Sequence, residues 1–346
     1  MTATAPDAIQ TPTTTTPVGA SSGERPPFAI GLLIALISAA TFGSSGPFAA
    51  SLLATGWSPG AIVLARIGGA ALVLLIPTVL ALRGRWGLVR RNAGLLLAYG
   101  LVAVAGCQLA FFAAVDRLSV GVALLLEYLA PVLIVGWLWA RHGHRPSRLT
   151  VVGVALAVIG LALVLDVFAG LTVDLVGVGF GLLAALGLMT FFLLSSRSGD
   201  ALPPMALAGG GLVVGAVGLA VTAVIGVLPV AVSTEPVVLA GQSAPWWLSI
   251  GELIVVAAAL AYVTGIAAAR ALGAKVASFV GLSEVLFAIL FAWILVAQLP
   301  APIQLLGGAL IVGGVIAVRL GEESADGPNP AETGPAGSGD SEYAAG

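Results

Sequence analysis

The sequence predicts an all-α polytopic membrane protein with ten transmembrane helices in two inverted five-helix repeats. Three observations predict it. Only 9% of the 346 residues are charged and 59% are hydrophobic, giving a mean hydropathy of +1.10, far too apolar for a water-soluble domain. The apolar residues come in blocks of about twenty, the length that crosses a hydrocarbon core of about 30 Å. Finally, Cys107–Val164 can be laid over Ala261–Val318 without a gap, so the chain repeats itself.

In chain order, residues 1–27 are rich in Thr, Pro, Ser and Ala and hold a single basic residue, Arg25, which reads as a disordered tail. They lack the basic start and short apolar core of a secretory signal. Spans are expected at 28–53, 60–82, 93–115, 119–140, 149–168, 175–196, 204–228, 247–269, 276–297 and 302–319. Residues 320–346 carry Glu322, Glu323, Asp326, Glu332, Asp340 and Glu342 without Lys or Arg, and read as an acidic disordered tail. The first repeat would occupy 28–168 and the second 175–319.

Basic residues test the count, because cytoplasmic loops hold the excess of Lys and Arg. With the N-terminus inside, twelve of the fourteen basic residues fall in inner segments, Arg117 falls outside and Arg66 lies within a span. Adding or dropping a span scrambles this alternation. The expectation is a multi-pass protein of the cell membrane with both termini cytoplasmic. Trp57, Trp246 and Trp247 at outer ends, and Trp86, Trp137 and Trp139 near inner ends, sit where interfacial aromatics belong.

Within the repeat, Trp139 matches Trp293, Pro146 matches Pro300, Gly153 matches Gly307 and Gly160 matches Gly314. Five helices per half is an odd number, so the second half is inverted, an arrangement associated with alternating access at the repeat interface.

The run Gly121-Val-Ala-Leu-Leu-Leu-Glu127-Tyr-Leu-Ala-Pro131, the span containing Arg66, the Ser283-Glu284 pair, and Pro302-Ile-Gln-Leu-Leu-Gly-Gly-Ala309 together resemble the EamA family of the drug/metabolite transporter superfamily, over 28–319. Leu-Glu-Tyr-Leu-Ala-Pro is similar to the branch with amino-acid exporters of the threonine/homoserine type. The resemblance implies a transporter of a small metabolite with a central cavity between the first, third, fourth, sixth, eighth and ninth helices. In the second repeat Glu284-Val285 and Ala297-Gln298 stand where the family commonly has Glu-Pro and Gly-Glu.

Four ionisable residues lie inside spans: Arg66, Glu127, Glu252 and Glu284. Each costs several kcal/mol on insertion scales, so a functional role is the default hypothesis. Glu127 is about 12 Å of helix rise from the outer end of its span and Glu284 about 12 Å from the inner end of its own, both near mid-membrane. A carboxyl there can hold a proton or a substrate ammonium, which makes protons candidate coupling ions. Arg66, about 9 Å from its outer end, is level with Glu127 and suited either to a charge pair with it or to snorkelling toward headgroups. Glu252 is shallower and reads as a rim residue. Gln108 and Tyr262 sit near-equivalently in the two repeats and suit either cavity or interhelical hydrogen bonds. Pro131 removes a backbone donor and would kink the fourth helix beside Glu127. Gly211 and Gly215 form a small-xxx-small pair suited to packing or self-association, which leaves a homodimer open.

Other classes find little support. Gly43-Ser44-Ser45-Gly46 has the G-x-S-G form of intramembrane serine proteases, but the two histidines, His142 and His144, fall in a cytoplasmic loop and no span holds a Lys, so the Ser lacks a base. No catalytic residue, metal set, cofactor or phosphate-cradling loop is expected. Cys107 is the single cysteine, which rules out an internal disulfide. The absence of a basic cluster sets nucleic acid aside. The partners expected are a small-molecule substrate and the lipid bilayer. The alternatives are a membrane-embedded enzyme and a non-transporting structural or assembly protein, the latter having no need of mid-membrane carboxylates.

Overall fold

The computed structural model describes residues 27–118, 120–143, 146–164, 174–197, 202–296, 299 and 301–323. Most of both expected tails lies outside these residues. Eight helices among those described are long and apolar enough to cross a membrane, and two shorter apolar ones, Arg148–Val164 and Ser283–Leu295, accompany them.

Helix 1 comprises Phe28–Gly43 and Ser45–Leu53, helix 2 Pro59–Ala81, and helix 3 Ala93–Val115. Helix 4 comprises Val120–Glu127 and Ala130–His142, and helix 5 is Arg148–Val164. Helix 6 is Leu175–Ser195 and helix 7 Pro204–Val224. The continuous stretch Trp246–Gly281 is two spans, because Gly273 adopts φ 79° and ψ 162°, a left-handed conformation that suits glycine and ends a helix. Helix 8 is therefore 246–272, and helix 9 is 274–281 followed by Ser283–Val296. Helix 10 is Pro302–Glu323.

The boundaries depart from expectation at definable places. The seventh helix stops at Val224 rather than 228, because Gly226 turns the chain at φ 77° and Leu228 folds back against Gly60 of helix 2. The tenth runs four residues past 319, since Gly321 admits close contact with Ser147 and Thr150 of helix 5. The last residues expected for the fifth span, 165–168, lie outside the described residues. Between helices 7 and 8 an unforeseen hairpin pairs Val237–Leu239 with Gln242–Ala244 through Ala240 and Gly241, both at positive φ, as a two-residue hairpin turn requires.

Large apolar side chains face outward where a soluble protein would place charge. Leu72 and Ile76 of helix 2 are 72% and 70% exposed, a surface made for lipid.

Helices 5 and 10 show how the halves are related. A Cβ on Gly153 would stand 2.6 Å from the Gly314 carbonyl oxygen, and one on Gly160 would stand 2.5 Å from that of Gly307. The contacts run in opposite chain directions, so the helices are antiparallel. Since Gly307 and Gly314 are the repeat counterparts of Gly153 and Gly160, each residue meets the counterpart of its neighbour, as a twofold axis through the crossing demands. An antiparallel pair of equivalent helices is the geometry of inverted repeats.

The third helix of each repeat carries the same irregularity. Tyr99–Gly106 and Val255–Leu260 are π-helical, and each ends just before the aligned pair Cys107 and Ala261. The breaks in helices 4 and 9, after Glu127 and after Gly281, are also equivalent in the repeat. Both ends of the bundle meet on one face, where the Arg319 guanidinium lies 3.9 Å over the Phe28 ring. Gly211 and Gly215 face Tyr99 and Val104 of helix 3, so this pair serves packing within the chain.

Candidate functional site

The site forms where helices break. Helix 4 stops at Glu127 and resumes at Ala130 with Pro131 in its new first turn. Pro131 has no N–H for the Glu127 carbonyl four residues back, which favours the interruption. In helix 1, Pro47 likewise cannot bond the Gly43 carbonyl, and the helix breaks at Ser44. Helix 9 has no proline at its break, but Ser283 Oγ donates to the Val280 carbonyl at 2.6 Å, a local bond that competes with the helical ladder.

Glu127 precedes its break whereas Glu284 follows its own. Because helices 4 and 9 run in opposite directions, these positions fall on the same side of the two breaks. The carboxylates are not repeat counterparts, yet inversion brings them to one level.

Arg66, Gln108, Glu127, Tyr262 and Glu284 line one cavity of about 220 Å³. Helices 1, 3, 4, 6, 8 and 9 supply its walls and helix 2 adds Arg66. Glu252 and Pro131 are not in this lining. The polar groups are held individually. Arg66 Nη2 donates to the Ala257 carbonyl at 2.7 Å, within the π-helical stretch of helix 8, and the guanidinium lies 5.8 Å from the Phe42 ring centroid. Its Nε is buried without a partner. Among the described residues Arg66 forms no direct ion pair with a carboxylate; the one salt bridge found joins Arg117 and Asp174 at 3.6 Å. The charge pair with Glu127 considered from sequence is therefore not made, because Arg66 reaches helix 8 instead.

Glu127 Oε1 accepts a hydrogen bond from Cys107 Sγ at 3.3 Å, and the same thiol lies 3.4 Å from the Ala184 carbonyl. Tyr128 stands beside Glu284, and Gln108 beside Tyr262. Phe42 and Phe191 each pack edge-on against Tyr262, with centroids 5.3 and 5.8 Å away. The cavity thus offers two carboxylates, one guanidinium with an unpaired N–H, and an aromatic wall.

Glu252 makes a separate contact. Ser44 Oγ, at the break in helix 1, lies 2.5 Å from Glu252 Oε1, and Oε2 is buried without a partner. Further along, Ser51 and Ser249 meet at 2.9 Å, so two polar contacts fasten the second half of helix 1 to helix 8.

Sequence reasoning passed over Cys107, Tyr128 and the aromatic wall. Tyr128 is adjacent to Glu127 in the chain, but whether it faces the same cavity depends on the break, and a single cysteine in an apolar block carries no pattern.

Among the described residues, ten helices in two inverted halves gather charge and aromatic rings around one cavity, the architecture of a polytopic membrane protein. Residues 29–166 match the model of the EamA-like transporter family, a family within the drug/metabolite transporter superfamily. A solved crystal structure superposes with a TM-score of 0.69 at 19% identity, covering 86% of this chain and 99% of the other, a likeness in fold. No curated protein matches the chain.

Proposed function

We propose that the protein is a secondary transporter that exports a small cationic or zwitterionic metabolite, such as an amino acid or related compound, by alternating access of its two halves, in exchange for protons. One observation carries this reading: Glu127 and Glu284, from opposite halves of the chain, converge with Arg66 on a single cavity. Two carboxylates against one guanidinium favour a solute bearing an ammonium group, and Arg66 Nε is a free donor for a carboxylate. Charge buried in a membrane is costly unless it binds something. When a carboxylate can hold either a proton or an ammonium, but not both, proton entry displaces solute and solute loading displaces the proton. The basic face that gathers both ends of the bundle is the cytoplasmic side.

Purified protein in liposomes should move a small solute without ATP, and a comparison of metabolites in cells with and without the gene should show that solute accumulating inside on deletion. Folded protein that moves nothing across a broad panel of amino acids and amines would overturn the reading.

A further inference from the structure

A second cavity, of about 410 Å³, adjoins the first. The two share Phe42, Ser45, Leu124, Tyr128 and Glu284, so Glu284 stands at their junction. Helices 3, 6 and 8, which wall the central cavity, contribute nothing to the second among the described residues. Its walls are Gly46, Pro47 and Ala50 of helix 1 and Ala288 and Ala292 of helix 9, and it ends beside Val164 of helix 5 and Gln304 of helix 10. It therefore branches from the central space between helices 1 and 9.

Ser45, Tyr128 and Glu284 put the polar groups at the junction, and beyond it the small residues Gly46, Ala50, Ala288 and Ala292 alternate with Pro47, Val285 and Ile289 in an apolar wall. At the far end the Gln304 side chain is already engaged, with Nε2 donating to the Val164 carbonyl at 3.2 Å and Oε1 accepting from the Ala301 N–H at 2.9 Å. From Glu284 to Ala292 the branch follows helix 9 for about 12 Å, roughly the length of an extended octyl chain. A carboxylate at the inner end of an apolar slot complements a molecule with an ammonium at one end and a hydrocarbon chain at the other.

We propose that this branch holds the apolar tail of an amphiphilic cation whose ammonium group sits against Glu284, so that the solutes taken include linear alkylammonium compounds. This rests on the reading of Glu284 as a cation site given above. The tail is moved from water to an apolar slot, so each added methylene that fits tightens binding about fourfold.

Equilibrium dialysis of the full chain in lipid nanodiscs, with empty nanodiscs subtracted and affinities referred to free aqueous ligand, tests this with n-alkylammonium ions from propyl to dodecyl at pH 7. Wild-type affinity should climb about fourfold per methylene and level off near octyl. Ala292→Trp, and independently Ala50→Trp, should leave propylammonium binding unchanged while levelling off at a shorter chain. Glu284→Gln should weaken the whole series by a similar factor. Short and long amines binding equally, or an unaltered series in both tryptophan variants, would overturn the branch assignment while leaving the cation site in place. Octanol binding as tightly as octylammonium would also overturn it and mark the branch as a lipid-chain groove. Failure of every amine to bind would overturn the cation site itself, and this assignment with it.

Discussion

Substituting Gly160 or Gly307 tests the crossing that relates the two halves. A Cβ on Gly160 would stand 2.5 Å from the Gly307 carbonyl oxygen, and a Cβ on Gly307 equally 2.5 Å from that of Gly160. The clash is with backbone on both sides, so relief requires helices 5 and 10 to separate by about 1 Å, and overpacking of this kind costs roughly 1–3 kcal/mol. Gly136 of helix 4 and Gly313 of helix 10 have open space where a Cβ would go, and Gly→Ala there removes a helix penalty of about 1 kcal/mol. Unfolding measured by circular dichroism in mild detergent with increasing dodecyl sulfate should therefore show Gly160→Ala and Gly307→Ala destabilised by similar amounts. Gly136→Ala and Gly313→Ala should be neutral or slightly stabilised. The double variant should cost less than the sum of its parts, because one separation of the helices relieves both clashes. Stability of both Gly160→Ala and Gly307→Ala within about 0.5 kcal/mol of wild type, the range of innocuous substitutions, would refute the close antiparallel crossing.

Arg66→Met should abolish solute binding in a protein that still folds, because the lost bond to the Ala257 carbonyl, worth on the order of 2 kcal/mol, is offset by removing a charge that is costly inside a span; unaltered binding would take Arg66 out of the site. The Asp174 carboxyl, capping helix 6, is held below its ordinary value of 3.8 chiefly by the Gly177 N–H, then by the Val176 N–H and Arg117. Its contribution to stability is therefore complete above that value and is lost as pH falls through the lower folded value, so Asp174→Asn should lower stability at neutral pH, flatten the acid limb of a stability-against-pH curve, and converge with wild type in acid. In a Cys107→Ala background, Leu124→Cys and Ala268→Cys, toward opposite ends of the central cavity, should change their reactivity to a water-soluble maleimide in opposite senses when solute is added. Both rising or both falling would contradict alternating access.

Much of the fold is legible in the sequence, because the membrane imposes a length on each span and charge punctuates them. The correspondence of Gly153 with Gly307 and of Gly160 with Gly314 is visible in the chain's own repeat, as glycine at a helix crossing is a steric requirement that both halves share. The breaks at Ser44, after Glu127 and at Leu282 are less legible. Pro47 and Pro131 mark two of them, but nothing in Gly281-Leu282-Ser283 distinguishes a break from a continuous helix. The π-helical stretches are equally silent, since a one-residue shift of the hydrogen-bond ladder in Tyr99–Gly106 or Val255–Leu260 leaves an apolar sequence unchanged. Glu127, Glu284 and Arg66 stand out in sequence because a charge in hydrocarbon needs a reason. Which carbonyl Arg66 would reach, and that Cys107 would bond Glu127, depends on helix neighbours that no local pattern encodes.

Transport driven by a proton gradient tests the central claim most directly. Wild type and Glu127→Gln, reconstituted into liposomes at equal levels, would be loaded with a labelled panel of amino acids and linear amines and exposed to an imposed pH difference. Glu127→Gln keeps the size and most hydrogen bonding of the side chain but removes its charge and its titration. The account predicts that wild type redistributes at least one solute against its gradient and that Glu127→Gln, though folded and inserted, no longer responds to the pH difference. A gradient response in Glu127→Gln equal to that of wild type would contradict it.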